Sequence, residues 1–355
     1  MKTLTKKCLC AAMLVSLGCF NNAFAQTSKD YHFSDVLNKL DEHLSVHGYA
    51  QGGYIYDDQA TPDNTFRIDR IVGFVNGKVT NKWDCYFMYS FSGDNKSHAL
   101  ELWTEYHFTP AFNVKIGEFK TPFSIESPLS PTVLAFNTMS QASNYLMGNT
   151  AADVKYGSNS GRDQGLQISG DLIPYNDKNL LTYQLAIMNG QGINVSDKNN
   201  QKDLVWSLTF HPNQKLDLNV SSMKGKGYAL ANEYEIKAGD NYTRNRASVG
   251  LEYKGDPFEV RTEYIYGKDG NHHSEGYYAT AGYHVTPQFD ILASYDYFNK
   301  NKDITHQNEV DYKMGVQYWF YPRCRVQLQY TYKDRDNQLD QENNNLVEAL
   351  VQVRF

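Results

Sequence analysis

From Ser45 to Phe355 the sequence alternates apolar and polar side chains with a period of two. Phe289, Ile291, Ala293, Tyr295 and Tyr297 fall on one side of such a segment and Asp290, Ser294 and Asp296 on the other, which is the pattern of an amphipathic strand. Val310/Tyr312/Met314/Val316/Tyr318/Phe320, Val326/Leu328/Tyr330/Tyr332 and Val347/Ala349/Val351/Val353/Phe355 repeat it. Sixteen such segments begin near residues 45, 66, 83, 98, 112, 163, 180, 202, 215, 243, 257, 275, 289, 308, 324 and 345. The count is even, and the connections alternate. Tight turns such as Thr109-Pro-Ala, His211-Pro-Asn-Gln and Tyr321-Pro-Arg close one end of each strand pair, and longer polar loops such as Lys224 to Tyr242 close the other.

The side on which the charges fall decides between a soluble and a membrane β-protein. In the third and fourth segments, and from the sixth to the sixteenth, the apolar face carries no Asp, Glu, Lys or Arg, while the opposite face is polar and charged. A soluble barrel or sandwich is apolar inside, and its strands run to ~5–6 residues rather than the ~10 of a membrane barrel. The chain is therefore expected to be all-β, a transmembrane antiparallel β-barrel of about 16 strands with its apolar face in lipid and its polar face around a lumen. Closure of the barrel satisfies every backbone group in the hydrocarbon. Aromatic groups near strand ends, Tyr264/Tyr266, Tyr295/Tyr297 and Tyr318 to Tyr321 among them, fit the interfacial girdles. Past residue 25 no stretch approaches the ~18 consecutive apolar residues of a spanning helix. A net charge of −6 argues against a nucleic-acid partner, which needs clustered Lys and Arg.

The first residues read as an export signal. Lys2, Lys6 and Lys7 precede an apolar run from Cys8 to Phe20, and Ala23-Phe24-Ala25 has the small-x-small pattern of a cleavage site. Residues 1–25 are thus expected to leave after Sec-type export, and the loss of three lysines takes the net charge from −6 to −9. Cys8, Cys10 and Cys19 leave too, and the remaining Cys85 and Cys324 form neither a disulfide framework nor a zinc set. Residues 26–44 form a short leader in which Val36, Leu37, Leu40 and Leu44 recur at helical spacing after a plausible cap at Ser34. The barrel takes 45–355.

Three stretches resemble the phosphate-selective porin O and P family of Gram-negative outer membranes: Phe66-Arg-Ile-Asp-Arg-Ile-Val-Gly-Phe-Val-Asn-Gly-Lys-Val, Val114-Lys-Ile-Gly-Glu-Phe-Lys-Thr-Pro-Phe-Ser-Ile-Glu126, and the terminal Val351-Gln-Val-Arg-Phe355. The resemblance implies a sixteen-stranded, typically trimeric pore whose third long loop folds into the lumen. It also makes Phe355 the signal read by the barrel assembly machinery, and the outer membrane the location. The residues themselves single out 120–162 as the longest connection, rich in apolar residues, Ser and Asn, and a long stretch of that kind inside a compact domain is usually functional.

The family's substrate does not transfer with its name. Selection of phosphate implies ladders of Arg and Lys along the pore, and here Asp69 and Val72 occupy positions that are Arg in the family pattern, leaving Arg70 as the match. Alternation assigns nine bases to the lumen, Arg70, Lys115, Arg246, Lys254, Arg261, Lys313, Arg325, Lys333 and Arg354. It assigns twelve acids, Asp84, Glu101, Glu105, Asp171, Asp217, Glu252, Glu259, Glu263, Asp290, Asp296, Asp311 and Glu348. Lys120, Lys155 and Arg162 face Glu126 and Asp153 in the long connection. The candidate pore-lining set is Arg70, Glu101, Glu105, Lys115, Lys120, Lys155, Arg162, Arg246 and Arg261, and its charge mixture predicts weak selectivity for small hydrophilic solutes or ions.

Catalytic and metal chemistry find no foothold, and no cofactor is expected. Gly157-Ser-Asn-Ser-Gly161 places Asn159 where a nucleophile elbow needs Ser. Glu101 and Glu105, four residues apart on a strand, are ~13 Å apart, too far for a glycosidase pair. His272-His273 reads as part of a solvated polar loop from Gly267 to Gly276, without a third ligand at suitable spacing. The rival reading is an outer-membrane barrel that works as an enzyme or adhesin through its external loops.

Overall fold

The computed structural model describes residues 43–92, 97–149, 160–175, 178–306, 308–336 and 342–355. Leu44–Phe355 is one compact unit; Met1–His43 is another, of which only His43 is described. The expected signal peptide and nearly all of the expected leader lie outside the described residues.

Sixteen strands follow in chain order: β1 (Leu44–Asp57), β2 (Asn64–Thr80), β3 (Trp83–Ser90), β4 (His98–Thr109), β5 (Phe112–Lys120), β6 (Arg162–Tyr175), β7 (Lys178–Met188), β8 (Asp203–Asn213), β9 (Leu216–Tyr228), β10 (Asn241–Lys254), β11 (Phe258–Asp269), β12 (His272–Thr286), β13 (Phe289–Asn299), β14 (Asn308–Tyr321), β15 (Cys324–Arg335) and β16 (Asn344–Arg354). Each pairs antiparallel with its sequence neighbours, and β1 pairs with β16 from Tyr49↔Arg354 to Asp57↔Leu346, so the sheet closes into a barrel without a free edge. Closure is completed by the last residue: the amide of Phe355 donates to the carbonyl of Gly48, and the amide of Gly48 donates to the carbonyl of Phe355, both at 3.0 Å.

The two faces differ as the alternation requires. On β8 the exposed Leu204, Trp206, Leu208 and Phe210 alternate with the buried Asp203, Val205 and Ser207. In a closed barrel the exposed apolar rows face outward and the buried, largely polar rows face inward.

Two local features depart from strict alternation. On β2 the pairing slips, with Gln51 opposite Arg70 and Gly52 opposite Ile68, so that Asp69 is an inserted residue. The bulge reverses the parity: Phe66 and Ile68 face out before it and Ile71 after it, which is why β2 shows no clean apolar face in the sequence. The second departure corrects the expected loop at Gly267–Gly276. There β11 and β12 continue as a ladder, joined by the two-residue turn Gly270-Asn271 with Gly270 at φ +59. His272 is buried and its Nδ1 lies 3.2 Å from Glu235, so the His pair belongs to a strand rather than to a solvated loop. This hairpin is polar on both faces, and a strand without an apolar face has no period-two signal.

Within the long connection after β5, the described residues form a 3-10 turn, Pro131–Val133, and one short helix, α1 (Gln141–Leu146). Each starts after a serine, Ser130 and Ser140, whose side chain accepts from a backbone amide of its first turn. Cys85 and Cys324 are free thiols, the second of them buried.

Candidate functional site

The inward face divides into two walls of different chemistry. Along β8 to β15 nearly every base meets an acid. Arg246 on β10 holds Asp269 on β11 with Nη1 at 2.9 Å and Nη2 at 3.1 Å, and Arg244 reaches Asp203 at 2.5 Å. Arg261 donates twice to Glu252, from Nε at 3.0 Å and Nη2 at 2.6 Å. Lys313 lies 3.1 Å from Asp296, and Arg335 lies 2.9 Å from Asp311 and 3.4 Å from Glu309. Charges withdrawn from water are costly unless paired; adjacent strands supply the pairs, except for Arg244, whose partner Asp203 lies two strands away. Arg325 and Lys333 on β15 have no ion pair among the described residues; Arg325, which is 1% exposed, donates from Nη1 to Gln317 and its guanidinium lies 5.3 Å from the Trp319 ring.

The wall from β16 through β1 to β6 is different. Arg70 donates to Gln51 at 2.9 Å and Asn137 at 3.0 Å, Arg354 to the Thr132 hydroxyl at 2.8 Å, and Lys120 to the carbonyls of Ser127 and Leu129. None of these three has a carboxylate partner among the described residues. Arg162 binds Glu101 from Nε at 3.0 Å and Nη2 at 2.8 Å, and Lys115 lies 3.5 Å from Glu105. Between these charges the inward rows are apolar: Tyr49, Val72, Phe74, Met88 and Leu100 form a buried cluster with half-buried Tyr86 against it.

Residues 121–149 bond to the inward rows of many strands. The amide of Ser124 donates to Ser221 on β9 at 2.9 Å, that of Ile125 to Glu263 on β11 at 2.9 Å, and that of Gln141 to Asp296 on β13 at 2.9 Å. Farther round, the amide of Asn137 donates to Gln329 on β15 at 3.1 Å, and Gln352 on β16 donates to the Thr132 carbonyl at 3.2 Å. Arg246 donates from Nε to the Leu146 carbonyl at 3.1 Å, which caps the end of α1 and seals the arginine at 1% exposure. Glu126 ties the segment to itself by accepting from the Ser140 amide at 2.8 Å.

Of the pore-lining candidates, Arg70, Glu101, Glu105, Lys115, Lys120 and Arg162 gather on the second wall, and Arg261 and Arg246 lie on the first, Arg246 beneath α1. Lys155 lies outside the described residues. Sequence reasoning passed over Arg67, Asp163, Asp203, Arg244 and Asp269, which stand at strand ends and, Asp163 apart, join the ion pairs; Arg67 pairs with Asp69 and Glu348. The signal for Arg244 was parity, since it lies two residues before Arg246 on one row. It also passed over the inward Val72 and Phe74, whose parity depends on the Asp69 bulge.

The barrel is similar to solved porins at low identity. It matches an anion-selective porin from Comamonas acidovorans with a TM-score of 0.68 and 12% identity over 88% of this chain and 99% of that one. It matches the trimer form of the outer membrane protein OmpT of Vibrio cholerae at 0.64 and 13% identity over 88% and 99%, and the outer membrane channel DcaP of Acinetobacter baumannii at 0.63 and 12% identity over 88% and 97%. No curated protein matches the sequence. The family model for phosphate-selective porin O and P matches residues 44–355, the whole of the closed barrel, and the chain belongs to that family.

Proposed function

We propose that the protein is a water-filled outer-membrane channel for passive diffusion of small hydrophilic solutes and ions, narrowed by residues 120–162 and weakly selective for charge. The observation that carries the selectivity is the pairing of lumen charges. Arg246, Arg261, Lys313 and Arg335 each face a carboxylate on the adjacent strand, and Arg244 on β10 reaches over β9 to Asp203 on β8, so they do not present an open ladder of positive charge to a passing anion. Arg70 and Arg354, with neutral partners, add a local positive field on one wall. A mild preference for anions follows, not a phosphate filter. The family's typical assembly and the trimer form of one similar structure favour a homotrimer surrounded by outer-membrane lipid, with Phe355 read during barrel assembly.

The test is purified protein in planar bilayers across a potassium chloride gradient. Stepwise conductance with a chloride-to-potassium permeability ratio of only a few is expected, and Arg70→Ala should move that ratio toward one. Strong chloride or phosphate selectivity would overturn the weak-selectivity reading, and absence of channel steps would favour an enzyme or adhesin.

A further inference from the structure

We infer that the β1–β5 wall of the lumen holds a subsite for monoanions with an aromatic or aliphatic body, so that the channel favours amphiphilic anions over wholly polar ones of equal charge. This rests on the reading as an open channel and adds a solute class to it.

The anomaly that carries the inference is an apolar inward row where alternation calls for water-facing polar groups. Phe74 on β2 and Tyr86 on β3 stand with ring centroids 5.9 Å apart, and Tyr86 stacks on Trp103 of β4 at 5.0 Å with 22° between the planes. Phe74 and Tyr86 are tilted by 41° to each other, and Tyr86 and Trp103 are stacked, so three rings on adjacent strands form one row. The row is held rather than loosely packed. The Trp103 indole nitrogen donates to Glu101 at 3.1 Å, and Arg162 grips the other oxygen of that carboxylate. Beyond Trp103 the neighbouring strands carry glycines, Gly117 opposite Trp103 and Gly165 opposite Gly117, which leaves room for the Trp103 ring to extend the row to the buried cluster of Phe119 and Met188. Gly117 has φ +137 and lies so close to the Leu102 carbonyl that no side chain fits there.

Cations frame the rings. Lys115 Nζ lies 4.4 Å from the Trp103 ring centroid, the Arg354 guanidinium lies 5.9 Å from that of Phe74, and Arg162 Nη2 lies 3.5 Å from the sulfur of Met88 behind the row. With Arg70 they make four positive charges against three acids on the same rows, of which Glu101 pairs with Arg162, Glu105 with Lys115 and Asp84 with His107, leaving Arg70 and Arg354 without a carboxylate partner among the described residues. Rings built only for packing would lie wholly under residues 121–149, yet Tyr86 and Trp103 stay half-buried. A solute that sets its charge near Lys115 or Arg354 lays its apolar body along the row of rings.

The experiment compares benzenesulfonate with methanesulfonate, both charged at every working pH, as blockers of the chloride current in planar bilayers. Half-block by benzenesulfonate is expected at about tenfold lower concentration, the ratio that removal of roughly 50 Å² of apolar surface from water yields. Trp103→Gln and Tyr86→Gln, each checked for unchanged conductance in potassium chloride, should bring the two ions together, and Lys115→Gln should weaken both and leave their ratio. Equal block in the conducting wild type overturns the inference, as does an unaltered ratio in either conducting glutamine variant; if neither variant conducts, the wild-type ratio decides. A wild type without channel steps overturns the channel reading itself.

Discussion

Asp58 shows how one side chain outside the membrane-spanning strands stabilises the seam of the barrel. It follows the last residue of β1 and accepts from Asn345 on β16, from the side-chain amide at 2.6 Å and the backbone amide at 2.9 Å. The side-chain hydrogen bond, then the backbone one, holds its carboxyl below the ordinary carboxylate value. A group whose pKa falls on folding stabilises above its unfolded pKa, ~4 for Asp, and the benefit vanishes as the pH drops through the lower folded value. Asp58→Ala should therefore unfold at a lower temperature than wild type at pH 7, with the gap closing toward pH 3. Heat-modifiable gel migration across that pH range measures it, and a gap that widens in acid would contradict it. Asp58 was not legible in the sequence, because its effect depends on Asn345 some 290 residues away, and no local pattern records such a partner. Asp69 was illegible for another reason: a bulge is visible only in the pairing of two strands.

At the scale of elements, the strands were the readable part. Every strand begins within three residues of its expected start, since a lipid-facing row excludes charge and thereby writes its period into the sequence. What was missed lies where lipid imposes nothing: the polar upper ends of β11 and β12, and the contacts of residues 121–149. Those contacts are made by backbone amides to side chains on distant strands, so the identity of the donor residue carries no information about them. The bond that ties the segment to itself makes a prediction of its own. Glu126 accepts from the Ser140 amide ahead of α1, and a hydrogen bond to a charged group contributes about 1.5–3 kcal/mol. Glu126→Ala should raise the population in which the segment is unlatched at Ser140 by about 10- to 150-fold. Single-channel records would then show higher, noisier conductance, with barrel unfolding almost unchanged; an unaltered trace would mean that Glu126 does not hold the segment.

The whole molecule faces two solvents, one on each side of a single sheet. Leu208, the central residue of β8, is 39% exposed on the outward row. Leu208→Arg should cost about 2–4 kcal/mol, as basic side chains do near the bilayer midplane, and Thr209→Arg, one position along and inward, less than about half of that. Urea unfolding in lipid vesicles distinguishes the two, and equal costs would mean that the outward row does not meet hydrocarbon. The seam also carries a consequence in time. Gln51 bonds to Gln352 across 301 positions, and Phe355 completes the ladder to β1. The ring therefore cannot shut before β16 has been made. Until β16 arrives, the boundary strands display unpaired backbone groups that invite sticking between chains. Every molecule must be kept apart from its siblings until its two ends meet, so its yield in the cell depends on how briefly that open interval lasts.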